Sequence, residues 1–338
     1  MRKPVVLITG AGGEIGHGLV TRLAKTGSRI VTLDVAPLDG SLAPLVAREF
    51  TGSITDVALL ERILAEFEVE RVFHLAALLS TRAEFTPVTA HHVNVEGTLN
   101  LLEFAQHEGE SHGRPVCFIY PSSIAAYGLP GLDAKTAAGA VTEDQFALPT
   151  TMYGCNKLYC EQLGRYYALH YKQLAANTAA RRVDFRSVRF PGLISATTMP
   201  AGGTSDYASE MIHAAARGER YACFVRPDTR IPFMAMPDAV DALLALAHAP
   251  RERLTKTAYN LAAFSPSAAE IREIVMKAFP AATIDYDVDV KRQAIVDSWP
   301  TDVDDSAARA DWRFHPSHDL ARAFSDYLIP TVRRRYGS

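Results

Sequence analysis

Val5-Val6-Leu7-Ile8-Thr9-Gly10-Ala11-Gly12-Gly13-Glu14-Ile15-Gly16 is a β-branched apolar run that ends in glycines. An apolar-periodic stretch through Ile15, Leu19, Val20 and Leu23 follows, so the segment reads as strand, turn and helix. Gly10, Gly13 and Gly16 let the chain turn tightly and bring its backbone close to a pyrophosphate. The helix start at Glu14 and Ile15 then offers N–H groups and a partial positive charge. Asp34 closes the next apolar run, Ile30-Val31-Thr32-Leu33-Asp34, 24 residues beyond Gly10. A carboxylate at that place can bond the ribose hydroxyls of an adenosine and repels a 2′-phosphate, so the segment points to NAD rather than NADP.

The same alternation continues outward. Val72–Leu75, Val116–Tyr120 and Val183–Phe190 read as strands, and Val57–Phe67, Val93–Ala105 and Tyr153–Tyr171 as helices. Strands alternating with helices require right-handed crossovers and a parallel sheet covered on both faces. The expected fold is therefore α/β, a Rossmann-type doubly wound parallel sheet with a smaller C-terminal substrate-binding domain. Residues 1–190 and about 232–262 are expected to form the NAD-binding domain, and 191–231 and 263–338 the substrate-binding cap. Residues 197–206 read as a polar, glycine-containing loop of the functional kind, while Gln106–Pro115 and Leu129–Pro149 read as variable surface.

Composition removes several classes of function. Of 338 residues, 48% are apolar and 22% charged, an ordinary globular balance. With 35 basic and 38 acidic residues the net charge is −3, so no broad positive field holds a nucleic acid. Arg333-Arg334-Arg335 reads as a solvated helix end. Cys117, Cys155, Cys160 and Cys223 are too few for a disulfide framework and form no CxxC pair, which favours a reducing, cytoplasmic setting. Met1-Arg2-Lys3 precedes an apolar run that stops at Thr9-Gly10 without a cleavage site, and no run approaches the length of a membrane span. No metal is expected: His315-x-x-His318 is interrupted by Pro316 and reads, like His91-His92, as exposed histidines.

Tyr153 and Lys157 are four residues apart on a predicted helix and so leave the same face. A tyrosine that takes a hydroxyl proton near neutrality must have its pKa lowered from about 10 toward 7, worth about 4 kcal/mol, which a nearby ammonium and a helix amino end can supply. Taken alone this spacing suits a surface pair just as well. What favours chemistry is Pro121-Ser122-Ser123, directly after a buried strand, at whose carboxyl end ligands of such sheets bind. Asp56 reads as a helix cap, and Cys155 faces away from Tyr153.

Gly10-x-x-Gly13-x-x-Gly16, His74-Leu75-Ala76-Ala77, Asn94-x-x-Gly97-Thr98, Ser123 with Tyr127-Gly128, and Tyr153-x-x-x-Lys157 stand in the order and spacing of the extended short-chain dehydrogenase/reductases. The chain resembles this group, the NAD-dependent epimerases and dehydratases, over nearly its whole length. The resemblance implies Ser123, Tyr153 and Lys157 as the catalytic set. It implies NAD contacts from Gly10, Gly13, Glu14, Ile15, Gly16, Asp34, Ser53, Ile54, Leu75, Ala76, Ala77, Asn94, Tyr153, Lys157 and Pro191. Ser53 stands where many members carry an aspartate that reaches the adenine. A homodimer paired through the helix that begins at Tyr153 is also implied.

Sugar-nucleotide members usually carry an asparagine where this chain has Pro191 in Arg189-Phe190-Pro191-Gly192. Ala77-Leu78-Leu79-Ser80, Gly202-Gly203-Thr204-Ser205-Asp206-Tyr207-Ala208 and Asp297-Ser298-Trp299-Pro300 are similar instead to the short-chain type of L-threonine 3-dehydrogenase. That likeness implies a small-molecule substrate, L-threonine, placed by Ser80, Ser122, Ser123, Thr204, Ser205 and Asp206, with Trp299 beside a lid. Another small hydroxy-acid or sugar-acid dehydrogenase, a nucleotide-sugar epimerase or dehydratase, and a non-catalytic NAD sensor remain as alternatives, since fold alone does not fix function.

Overall fold

The alternating runs fold as the pattern requires, and the computed structural model describes residues 3–175, 180–200 and 202–337. Met1, Arg2 and Ala201, which belong to the amino-terminal and loop readings above, lie outside the described residues. In chain order β1 (Pro4–Thr9), α1 (Glu14–Lys25), β2 (Ile30–Asp34), β3 (Arg48–Thr51), α2 (Val57–Glu66) and β4 (Glu68–His74) build the first half of the sheet. α3 (Ser80–Phe85), α4 (Pro87–His91), a π turn over His92–Glu96, α5 (Gly97–His112) and β5 (Val116–Ser123) follow. Next come α6 (Leu132–Ala138), β6 (Ala140–Val141), α7 (Met152–Leu169), β7 (Val183–Phe190), β8 (Gly192–Ile194), α8 (Tyr207–Arg217) and β9 (Tyr221–Cys223). β10 (Phe233–Ala235), α9 (Met236–His248), β11 (Ala258–Asn260), α10 (Ala268–Ala278), β12 (Ile284–Tyr286), α11 (Val290–Asp297) and β13 (Asp302–Val303) precede the carboxyl-terminal helices.

Seven strands form the central sheet in the order β3-β2-β1-β4-β5-β7-β11. The pairs β1–β2, β1–β4, β2–β3 and β4–β5 are parallel. The order reverses direction between β1 and β4, the switch point at which doubly wound sheets open a crevice at their carboxyl ends. Thr9, Asp34, His74 and Ser123 all end strands of this sheet, which is why the motifs gather there.

By contact the chain forms two compact units: Met1–Ser122, Cys155–Val188 and Leu243–Ala258 in the first, and Ser123–Gly154, Arg189–Ala242 and Tyr259–Ser338 in the second. The first is packed around Leu7, Val31, Ile63, Val72, Leu101 and Phe118. The second has its own core, including Tyr127, Met211, Phe233, Ile271 and Phe324, and short parallel pairs β8–β10, β9–β12 and β6–β13.

Several expectations are corrected. Gln106–Pro115 is not a variable surface loop: α5 runs on to His112, with Gln106 and Glu108 fully buried. Glu108 Oε1 accepts the Val69 amide at 2.8 Å and Gln106 Oε1 the Arg182 amide at 3.0 Å, so their polarity serves the packing of the sheet. Leu129–Pro149 contains α6 and β6, and its Glu143 and Lys135 are buried and partnered. Glu143 Oε1 accepts the Asn260 amide at 3.0 Å, and Lys135 Nζ donates to the Val296 carbonyl at 3.0 Å. Trp299 is 4% exposed within the core of the second unit. His318 is not a free loop histidine either, because Nδ1 lies 3.1 Å from the Asp238 carboxylate.

Candidate active site

Most of the candidate nucleotide-binding residues lie in the first unit. Gly10 adopts φ +69°, and a Cβ there would lie 2.6 Å from the backbone nitrogen of Ala76, so the β1 turn passes against the start of the Leu75–Leu78 segment only because residue 10 is glycine. A Cβ on Gly16 would lie 2.5 Å from the Ala11 carbonyl, which lets α1 start close beneath the turn. Gly13 caps α1 in an extended conformation, and no side chain caps the first turn. An uncapped helix start on exposed Gly12 and Gly13 fits a pyrophosphate, whose charge the amides and the helix dipole would meet.

Asp34 is tied to that turn: its Oδ2 accepts the Gly12 amide at 2.9 Å and its Oδ1 the Ala36 amide at 3.3 Å. The carboxylate is thus held in place through a residue, Gly12, that spacing arguments pass over. Ser53 Oγ accepts the Thr55 amide at 3.1 Å, and Asp56 caps α2 by accepting the Leu59 amide. Ile54 is buried where α5 begins, and a Cβ on Gly97 would strike its Cδ1 at 2.5 Å.

Asn94 sits in the π turn and clasps the Leu75–Leu78 segment from below. Its Oδ1 accepts the Leu78 amide at 2.7 Å, while Nδ2 donates to the Leu78 carbonyl at 3.1 Å and to Asn156 Oδ1 at 3.3 Å. Beneath it runs a buried polar chain. His74 Nδ1 lies 2.8 Å from Thr9 Oγ1 and Nε2 2.9 Å from Thr98 Oγ1, and Thr98 donates to the Asn94 carbonyl at 2.5 Å. Burial first, and the Lys157 charge second, push His74 down to about 3, so it stays neutral and acts as a bridge.

Lys157 is 4% exposed on α7, with Nζ donating to the Pro121 carbonyl at 2.6 Å and lying 4.6 Å from the Tyr120 ring centroid. Burial lowers it to about 8, against the raising effect of Cys160 and Glu161. The Ser122 hydroxyl donates to Glu161 Oε1 at 2.5 Å, with both residues buried. Ser80 is the first residue of α3 and is also buried.

The second unit carries the remaining candidates. Half-buried Ser123 caps a single turn over Ile124–Ala126, its Oγ accepting the Ala125 amide at 3.1 Å. Tyr153 lies in the first turn of α7, where Thr151 Oγ1 accepts the Gly154 amide at 3.1 Å. A Cβ on Gly154 would stand 2.0 Å from the Ala125 carbonyl, so the helix start is pressed onto the turn that Ser123 begins. Burial pushes the Tyr153 phenol above its ordinary value, opposite to the direction a base needs. Tyr153 and Lys157 are one turn apart on α7. Asp206 opens α8, its Oδ2 accepting the Gly203 amide at 2.6 Å; Thr204 is buried and Ser205 half-buried. Pro191 is buried beside β8, where Gly192 donates to the Pro232 carbonyl at 3.0 Å.

Comparison with known proteins bears on the family. Residues 6–262 match the model of the NAD dependent epimerase/dehydratase family. The chain belongs to that family. An uncharacterised epimerase/dehydratase of Staphylococcus haemolyticus is 37% identical over 336 residues, 98% of each chain. The L-threonine dehydrogenase structure from Clostridium difficile matches at TM-score 0.86 and 33% identity over 99% of each chain. That from Cupriavidus necator in its holo form matches at TM-score 0.84 and 35% identity, over 97% of this chain and 99% of the other. As a member of the epimerase/dehydratase family this chain is an NAD-dependent oxidoreductase with NAD as its cofactor. Among the described residues no helix is long and apolar enough to cross a membrane.

Proposed function

We propose that the enzyme oxidises the secondary alcohol of L-threonine to 2-amino-3-oxobutanoate. The observation that carries this reading is the likeness to L-threonine dehydrogenases over 97–99% of the chain at 33–35% identity. The first unit with its Gly10–Gly16 turn serves NAD, and the segments after Pro191 serve the substrate. When bound, NAD supplies the hydride acceptor. Tyr153 Oη takes the hydroxyl proton, Ser123 Oγ holds the same oxygen, and the Lys157 ammonium favours the phenolate. Ser80, Ser122, Thr204, Ser205 and Asp206 place the amino acid. A carboxylate such as Asp206 suits its ammonium, and hydroxyls suit its carboxylate. The family's sugar-nucleotide chemistry is less well supported, because Pro191 lacks the amide that an asparagine side chain would offer.

NADH formation measured with L-threonine, D-threonine, L-serine, 3-hydroxybutyrate and UDP-glucose, with NAD and NADP in parallel, tests the reading. Turnover of L-threonine with NAD is expected, and its absence with turnover of 3-hydroxybutyrate would transfer the assignment to a hydroxy-acid dehydrogenase. A homodimer is proposed through α5 and α7, whose Leu99, Tyr159 and Tyr166 are exposed apolar side chains, and light scattering on the eluting protein tests it. Four cysteines outside any disulfide favour a cytoplasmic setting.

A further inference from the structure

Glu161 is a buried carboxylate that no sequence motif singled out. It lies on α7 one turn beyond Lys157, so the two side chains leave the same face. Both are nearly inaccessible, at 2% and 4% exposure. Consecutive residues of β5 engage them: the Ser122 hydroxyl donates to Glu161 Oε1 at 2.5 Å, and the Pro121 carbonyl accepts from Lys157 Nζ at 2.6 Å. A buried carboxylate is retained at little cost only where donors and an opposite charge meet it.

We propose that Glu161 is a positioning residue for Lys157: its carboxylate keeps the buried ammonium charged and, through Ser122, fixes the end of β5 that carries the lysine's carbonyl partner. The inference rests on the catalytic role proposed for Lys157. Cys160 and Glu161 both act in the direction that raises Lys157, Cys160 the more strongly, and of the two only Glu161 is a carboxylate. The Tyr120 ring lies at 4.6 Å and the Pro121 oxygen is neutral. Burial pushes the Cys160 thiol up, and His74 is held neutral far below its ordinary value. Without Glu161, burial acts on the lysine unopposed by a carboxylate, and the ammonium loses its proton at lower pH.

The test is a titration of full-length enzyme labelled with ¹³C,¹⁵N-lysine, followed by NMR, with Lys157→Met used to assign the signal. Wild type should titrate at about 8. Glu161→Gln, which keeps an acceptor for Ser122 and removes the charge, should lower the midpoint by about one pH unit, tenfold in the proton equilibrium. The alkaline fall of kcat/KM for L-threonine should move down with it. Glu161→Asp, which keeps the charge, should restore most of the midpoint, and it carries the test if the Gln variant does not fold. An unmoved midpoint in folded Glu161→Gln, with only a lower Tm, overturns the proposal. Absence of L-threonine turnover in wild type, together with the expected midpoint shift, would sink the threonine reading and leave this one standing.

Discussion

Gly154 and Ala125 are in backbone contact: a Cβ on the glycine would stand 2.0 Å from the alanine carbonyl, closer than side chains come. Ser123 begins the turn that ends just beyond Ala125, and Tyr153 directly precedes Gly154, so this contact sets how near the helix start comes to the serine turn. Gly154→Ala must push α7 away. Overpacking of this kind costs about 1–3 kcal/mol, and a displacement of about 1 Å at a reacting group can cost about 10²-fold. The expected result is a lower Tm with a disproportionate loss of kcat in the folded fraction. A variant with the Tm change alone would show that the contact is structural only.

Asp34 offers a second test because its carboxylate is already oriented by the Gly12 and Ala36 amides. Asp34→Ser removes the charge and leaves a short acceptor. Hydrogen bonds to a charged group are worth about 1.5–3 kcal/mol, so NAD affinity should fall roughly 10- to 100-fold. NADP, freed from repulsion of its 2′-phosphate, should lose much less. Calorimetric Kd values for both cofactors decide the matter, and an unchanged NAD to NADP ratio would remove Asp34 from the ribose.

The parts of this protein that could be read from its sequence are those whose meaning lies within one turn or one loop. Gly10-x-x-Gly13-x-x-Gly16 and Tyr153-x-x-x-Lys157 state their geometry by spacing, and Asp34 by ending a strand. The Glu161–Ser122 and His74–Thr98 bonds join residues far apart in sequence, so neither partner announces the other. Polar composition misled at Gln106 and Glu108, which look like surface because their partners, Arg182 and Val69, lie 76 and 39 residues away. Glu143 in the 129–149 segment misled likewise, since its partner Asn260 is 117 residues distant. Local pattern therefore pointed to candidate residues but not to the buried polar braces beneath them.

His74 gives the fold a predictable response to acid. Its folded pKa of about 3 lies below the unfolded value of 6.5, so the unfolded chain binds the proton more readily. Stability from this group is fully present above pH 6.5 and is lost as pH falls from 6.5 through 3. By linkage the loss between pH 6.5 and 5 is about 2 kcal/mol for a group that titrates only when unfolded. Urea unfolding at those two pH values should therefore show a slope that His74→Gln reduces. If the variant keeps the full slope, other groups govern the acid response.

Tyr127 and Tyr153 allow structural and chemical roles to be separated with one atom. The Tyr127 hydroxyl donates to Asn260 Oδ1 at 2.6 Å in the core of the second unit, and burial raises its pKa to about 12, so it remains a donor at neutral pH. Tyr127→Phe leaves a fully buried amide oxygen without that donor, a loss of about 1–3 kcal/mol. Its Tm should fall while kcat at a temperature well below the transition stays within a few-fold. Tyr153→Phe should do the reverse, cutting kcat by about 10²- to 10⁴-fold while Tm and NAD affinity hold. The half-buried Tyr153 phenol is not lowered by its surroundings in the protein alone, so the burden of lowering it falls on the assembled complex. Phenol absorbance in Tyr153→Phe and wild type, titrated with and without NAD, should accordingly reveal a phenolate at neutral pH only in wild type with NAD. Its appearance without NAD would mean that the chain's own residues complete the base.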